Sequence, residues 1–308
     1  HRALRNFLFT NTKIKEIALF PSSFFPGVNF GYADLSIISL IRHSNVNECL
    51  TNEFAVIDGF KNVSELEKVH YDYDLLNKCR LSRFTQRQVF DNPDHALYIV
   101  DNPPISEVLS GRFSRLENVA DCVTGFYSGD DKAFVRELSL GNSKQLKYDT
   151  IHHDEIRYNY LAIDDLLNGV SEEPYFLPMM KGGGIRFYKP SSHYINWNRE
   201  AVNHYKKDKK ARFQNSNYYF RQGIGIPMVS SSKISAALID ERIFDQGIVG
   251  VFPKEQKYLY YLLALFNSAT CNKLIRTINP SANNSANYLK KLPILIPSEA
   301  TLIKIDGL

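Results

Sequence analysis

Residues 181–221 read KGGGIRFYKPSSHYINWNREAVNHYKKDKKARFQNSNYYFR. Ten lysines and arginines fall here: Lys181, Arg186, Lys189, Arg199, Lys206, Lys207, Lys209, Lys210, Arg212 and Arg221. Only Glu200 and Asp208 oppose them. Nine aromatic residues are interleaved, among them Trp197, the one tryptophan of the chain. Cations set among flat rings suit a polyanion that also presents base edges or faces. A solvated lysine face beside an aromatic core has the same composition, so composition alone leaves both readings open.

The order of residues says more. The glycines at 182–184 let backbone approach a ligand closely. The pattern then predicts a short strand over 185–188, a second over 194–197 and a polar helix over 199–210. Next come Asn217-Tyr218-Tyr219-Phe220, Gly223-Ile224-Gly225 and the serines at 230–232. This succession resembles the C-terminal target-recognition region of the large N6-adenine DNA methyltransferases. The fused type IIG restriction-modification enzymes and related phage-defence methylases belong to that group. Its pattern is a Gly-Gly before an Arg-aromatic strand, a strand ending at Trp, a basic helix, an Asn-Tyr-Tyr-Phe element and a Ser-Ser turn.

At 308 residues the chain is long enough for two domains with cores of their own. Lysine and arginine number 37 against 33 acidic residues, so the basic stretch is a local feature on a near-neutral body. That asymmetry suggests one face for an acidic partner. Cys49, Cys79, Cys122 and Cys271 are far apart in sequence, which suits reduced thiols and a cytoplasmic setting. No apolar run predicts a membrane span, and no membrane partner is expected. The chain opens on His1, which suits a piece of a larger protein or a tag remnant.

From the N-terminus, an amphipathic helix is predicted over 2–11 and a strand over 13–20. A loop holding Phe24, Phe25 and Gly27 follows, then a strand over 34–42. A helix, a strand, a Phe-Phe loop and an apolar strand resemble the tail of the same family's doubly wound catalytic domain. Residues 45–110 carry less signal: short helices over 63–69 and 71–81, then loop punctuation at Asn92-Pro93 and 101–104. Asn102-Pro103-Pro104 looks like the family's Asn-Pro-Pro-aromatic site for the target adenine. Its fourth residue is Ile105, which offers no ring for a flipped base, and it lies after the expected end of the catalytic sheet. It reads as a loop.

Residues 112–136 predict a strand or short helix over 116–123, turns at Thr124-Gly125 and Ser128-Gly129, and a strand over 133–135. This resembles the opening of the family's recognition region, although a plain hairpin has the same glycines. Lys132 would suit phosphate, whereas Asp130 and Asp131 would repel it. His152-His153-Asp154-Glu155 has metal-binding residue types, but adjacent side chains rarely converge on one ion. A strand is expected over 158–163. Short strands follow over 234–238, 243–244 and 247–252, then a buried helix over 258–267 and a continuation over 271–278. Asn279, Asn283, Asn284 and Asn287 can bond base edges or phosphates, or simply form turns. A Leu/Phe-Asn-Ser helix end, an Asn-rich loop and Leu289-Lys-Lys-Leu-Pro293 are similar to the ending of target-recognition domains.

Some parts are missing from the pattern. No Gly-x-Gly loop follows an early strand, so no S-adenosylmethionine site is expected in this chain. Glu255-Gln256-Lys257 matches half of a metal-dependent nuclease pattern, without a convincing preceding Asp. The resemblance therefore implies an α+β fold: 1–44 as the end of a doubly wound methyltransferase domain, 45–104 as a connector, and 105–308 as a DNA target-recognition domain. It implies sequence-specific duplex DNA binding, with S-adenosylmethionine as methyl donor in the intact family. The catalytic half would lie in the same polypeptide or another subunit. By itself the fragment is expected to be inactive. A noncatalytic RNA- or protein-binding module is the alternative. The residues expected to meet DNA are Lys181, Arg186, Lys189, Trp197, Arg199, Lys206, Lys207, Lys209, Lys210, Arg212, Arg221, Asn283 and Asn284.

Overall fold

The predicted N-terminal helix runs Arg2–Asn11 (α1) and passes without a loop into the strand Thr12–Phe20 (β1). These belong to a computed structural model that describes residues 2–21, 24, 35–60, 79–99, 108–109, 113–139, 146–156, 161–183, 185–230, 233–279 and 282–307. A register slip between Ile14 and Glu16 lets Ile14 and Ile17, three apart, both point into the core. β1 pairs antiparallel with Leu35–Arg42 (β2). After the helix Val46–Thr51 (α2), which Asn45 caps, β1 also pairs parallel with Glu53–Asp58 (β3). Arg80–Thr85 (β4) completes the order β2-β1-β3-β4, and Gln86–Phe90 (α3) follows. Phe9, Ile14, Ile17, Phe54, Val56 and Val89 form the core. Gln86 is fully buried at the α1–β1 junction and fully bonded. Its amide donates to the carbonyls of Phe9 and Thr12 at 3.0 and 2.9 Å and accepts from the Ile14 amide at 2.8 Å.

This sheet lies within one unit, His1–Phe113. The stretch expected to be a connector, 45–104, supplies it with β3 and β4. The helix expected over 71–81 is overturned at its end, because Arg80 and Leu81 open β4, while 71–78 lie outside the described residues. The helix expected over 63–69, the loop at Phe25 and Gly27, and Asn102-Pro103-Pro104-Ile105 also lie outside them.

Ser114–Leu308 is the second unit. It begins with Ser114–Arg115 (β5), the short helix Leu116–Val119 (α4) and Ala120–Thr124 (β6). A turn of helix, Asp131–Phe134 (α5), stands where a strand over 133–135 was expected; the strand Val135–Leu138 (β7) starts at its end. Asp149–Ile151 (β8) and Ile163–Asn168 (α6) follow. Ile163 thus opens a helix rather than ending a strand, and 157–160 lie outside the described residues. Phe176–Met180 (β9), His193–Asn196 (β10) and Arg199–Lys207 (α7) come next. Then come Gly223–Pro227 (β11), Ala237–Ile239 (β12), Ile243–Phe244 (β13) and Ile248–Pro253 (β14). The chain ends through Leu259–Phe266 (α8), Ala269–Ile278 (α9), Ala286–Leu289 (α10), Pro293–Ile294 (β15) and Glu299–Asp306 (α11). The strand expected over 185–188 is reduced to one bridge, Phe187 with Ala237.

Two sheets share one core. Their orders are β13-β9-β10-β7-β8 and β12-β11-β14-β6, and β15 pairs separately with β5. The turn at Asp245–Gly247 carries the chain from β13 in the first sheet to β14 in the second. Contact is close: a Cβ on Gly225 would lie 2.5 Å from Met180 Sδ, and one on Gly125 2.3 Å from two backbone oxygens. The core runs from Phe126 to Phe252 and centres on Trp197, Tyr205, Phe244 and Phe252. Antiparallel pairs dominate, so the molecule is mixed and consistent with α+β. No helix among the described residues is long and apolar enough to cross a membrane.

Candidate nucleic-acid interface

β9 ends at Met180, and Lys181 turns inward rather than toward solvent. Its Nζ lies 2.6 Å from Asp131 Oδ2 and 3.2 Å from Asp245 Oδ1, with 14% of the side chain exposed. Asp131 Oδ1 also accepts from Ser128 Oγ at 2.7 Å. Burial works against the Lys181 ammonium, but Asp245 and Asp131 outweigh it and raise its pKa. Burial raises the pKa of Asp245, with Lys181 pulling against it. Lys181, expected to meet DNA, is placed as an ion-paired strut between loops.

Three more expected contacts serve the fold. Lys189 Nζ donates to the carbonyls of Lys181 and Gly182, tying the base of the 181–189 loop. Trp197 is fully buried and donates Nε1–H to the Leu166 carbonyl at 3.1 Å. Asn284 is fully buried too; it donates to Pro227 O at 3.0 Å and accepts from Arg276 at 3.1 Å. For Trp197 and Asn284, burial makes these partners necessary, because a buried polar group without one is costly.

The helix α7 forms but stops at Lys207, short of the expected end at 210; Asn198 caps it, accepting from the Ala201 amide at 2.9 Å, while Ala201, Val202 and Tyr205 face the core. Its other side carries charge. Arg199 pairs with Glu172 at 2.8 Å. Lys206 donates to Asn168 Oδ1 at 3.0 Å and sits 5.6 Å from the Phe213 ring centroid. Past the helix the chain turns, and the Arg212 guanidinium donates to the carbonyls of Lys209, Lys210 and Ala211 at 2.9, 3.3 and 2.8 Å. Asp208 Oδ1 accepts from the Lys210 and Ala211 amides at 2.7 and 3.1 Å. Those backbone bonds, that to Lys210 first, hold its pKa below the usual carboxylate value. Asp208 thus stays ionised, with its Oδ1 bound into the turn. Lys207, Lys209 and Lys210 are exposed, and among the described residues none has a carboxylate within ion-pair distance.

This basic turn is joined to three other loops by a train of contacts. Tyr127 and Arg212 exchange backbone bonds at 3.3 and 2.8 Å. Gly129, at φ 88°, sits so close that a Cβ would lie 3.1 Å from the Ala211 amide nitrogen. Only glycine fits such an approach cheaply. From the same loop Asp131 reaches Lys181, the root of the 181–189 loop. Gly183 in that loop abuts Pro227, where a Cβ would be 2.1 Å from Cγ. The Met228 carbonyl accepts from the Asn284 amide at 2.6 Å, and Val229 bridges Asn283. Along this train Lys132, Arg186, Phe187, Tyr188, Lys207, Lys209, Lys210, Val229 and Asn283 are exposed. Of the residues expected to meet DNA, Arg186, Lys207, Lys209, Lys210 and Asn283 are exposed along this train. Arg199 makes an exposed ion pair with Glu172, and Arg221 lies over the Tyr218 ring at 5.4 Å, apart from the train. The links Gly183–Pro227 and Arg276–Asn284 left no sequence signal.

Elsewhere, His193 faces Glu137 across the β10–β7 pair, with Nε2 3.1 Å from Oε1 and Nδ1 3.0 Å from Ser192 Oγ. Burial pushes the His193 pKa down; Glu137 opposes this, and Lys181 and Lys189 add to it. The line Ser192–His193–Glu137 follows from strand register. Lys257 is held 2.9 Å from both Glu255 and Glu299, a surface ion pair where a nuclease fragment was considered.

No protein-family model and no curated protein matches the chain. Among solved structures, the type IIG restriction endonuclease BpuSI aligns over 99% of this chain at 14% identity and a TM-score of 0.38. The chain spans 39% of that enzyme. At that TM-score the likeness carries no weight for function.

Proposed function

We propose that this chain is a duplex DNA recognition module. More specifically, we assign it to the C-terminal part of an N6-adenine methyltransferase or type IIG restriction-modification enzyme. In that division 1–44 ends the catalytic domain, 45–104 leads on from it while lending β3 and β4 to the same sheet, and 105–308 reads the target. The observation that carries the DNA-binding part is the linked train of loops. It presents five exposed cations, Lys132, Arg186, Lys207, Lys209 and Lys210, against the nearby carboxylates of Asp130 and Asp208, so positive charge prevails there. The finer assignment rests on the order of sequence elements from 181 to 221 and from 258 to 297. In an intact enzyme of this kind S-adenosylmethionine supplies the methyl group, and a catalytic half receives the adenine that this chain helps present.

Binding of a labelled duplex across a salt series tests the proposal. Five phosphate contacts give a slope of log affinity on log salt of about −4.5. A flat response overturns the assignment. Tighter competition by single-stranded RNA than by duplex DNA would favour an RNA-binding module instead. Calorimetric titration of this chain with S-adenosylmethionine is expected to show no binding.

A further inference from the structure

The exposed tip of the 181–189 loop is apolar. Ile185 is 47% exposed, Phe187 52% and Tyr188 58%. Phe187 adopts a φ of 66°, and the Tyr188 amide donates across it to the Arg186 carbonyl at 2.8 Å. An i→i+2 bond around a residue of positive φ is the rarer, strained form of γ-turn. Bulky side chains seldom occupy that backbone region, which glycine enters freely.

The strain is held from several sides. The Phe187 amide donates to Ala236 O at 2.7 Å, and the Leu238 amide donates to Phe187 O at 2.8 Å, so Phe187 is stitched to the edge strand β12. Behind it Arg242, almost fully buried, donates to the carbonyls of Lys189 and Leu238 at 2.6 and 2.7 Å. Lys189 closes the loop's base. Neither the Phe187 nor the Tyr188 ring belongs to a described hydrophobic cluster. A strained backbone with this many restraints persists only where its surroundings over-determine it. The result is a rigid mount for an exposed ring beside a cation.

We propose that Phe187, backed by Tyr188, is an aromatic wedge that enters between adjacent base pairs of bound duplex DNA, with Arg186 at the groove edge. This rests on the DNA-binding reading above. The cations of the same loop train supply the charge complementarity that would hold a duplex against the wedge. Apolar residues that enter a base step must force it apart, which a compliant loop does poorly and a pinned one does well.

The test uses the full chain and a duplex selected from a randomised pool, with 2-aminopurine placed at each position in turn. The wild type is expected to brighten one or two adjacent positions. Phe187→Ala should abolish the brightening, weaken binding by roughly tenfold and leave the salt slope unchanged. Phe187→Trp should preserve the brightening. Phe187→Gly, which relieves the backbone, should keep or raise the melting temperature while losing the signal, so misfolding is not mistaken for a missing ring. Salt-dependent binding with no brightened position, or brightening that survives in Phe187→Ala, overturns the wedge alone. A wild type that binds no duplex at any salt overturns the wedge and the DNA reading together.

Discussion

At the scale of single residues, the same letter has opposite fates in this chain. Lys181 and Lys207 are both lysines of one basic stretch, yet one is a strut and the other a free surface charge. Lys181→Met leaves Asp131 and Asp245 without their shared cation. Removing one partner of a largely buried pair costs about 3 kcal/mol, the low end of the range because each side chain keeps some exposure. The loss has a pH signature. Burial already raises the Asp245 pKa above 3.8, and without Lys181 it rises further. An acid whose pKa is higher folded than unfolded stabilises the fold below its unfolded value and loses that contribution as pH rises through the folded one. Urea unfolding should therefore show a larger deficit for Lys181→Met at neutral pH than near pH 4. An equal deficit at both would mean Asp245 is not the group left exposed to the loss. None of this was legible in the sequence, because Asp131 and Asp245 come from distant segments that only the fold unites.

At the scale of elements, legibility followed local pattern. The polar helix α7 was readable from its charges, though not its end at Lys207, and β1 from its apolar alternation. β9 was missed: Phe176-Leu-Pro-Met-Met does not alternate and contains a proline, which argues against an inner strand. The register explains the exception. β13 pairs only with Met179 and Met180, so it stops short of Pro178, whose missing amide is never needed. Close packing between elements yields a second prediction. Gly125 lies so near the backbone of Phe244 and Asp245 that Gly125→Ala must push β6 from the β13 turn. Such overpacking costs about 1–3 kcal/mol, and a matching drop in the urea midpoint checks it. The basic turn and the loop tip yield a third. Lys207 is an unpaired point charge at the last residue of α7, so Lys207→Ala should weaken all duplexes alike and reduce the salt slope by about one unit. Arg186 sits beside the pinned Phe187, a setting that suits bidentate contact with guanine. Arg186→Ala should cost about 1–3 kcal/mol on the preferred site and relax preference at one position. Binding profiles over randomised duplexes separate the two; uniform losses for both would defeat this division of labour.

At the scale of the whole molecule, the two units differ in what they hide. The core of the second unit runs from Phe126 to Phe252, and every member lies within Ser114–Leu308. So do the basic turn, the loop tip and the Asn283 loop. A segment of that length can bury a core of its own. The first unit keeps a smaller core, and β2, the edge of its sheet among the described residues, exposes Ile37, Ile38, Leu40 and Ile41, with Leu4 and Phe7 exposed on α1. The sequence marked both strand and helix but could not show that β2 would be an edge with apolar residues on both faces, since that depends on which strand pairs beyond it. A long apolar edge tends to pair with another chain. Residues 114–308 made alone should therefore unfold cooperatively, sediment as a monomer and keep the full salt slope on duplex DNA. Residues 1–113 made alone should self-associate, with a sedimentation coefficient that climbs with concentration; Ile38→Lys together with Leu40→Lys should return them to monomer. If 114–308 folds but loses the salt slope, cations of the first unit share in binding, and the interface extends beyond the loops assigned to it.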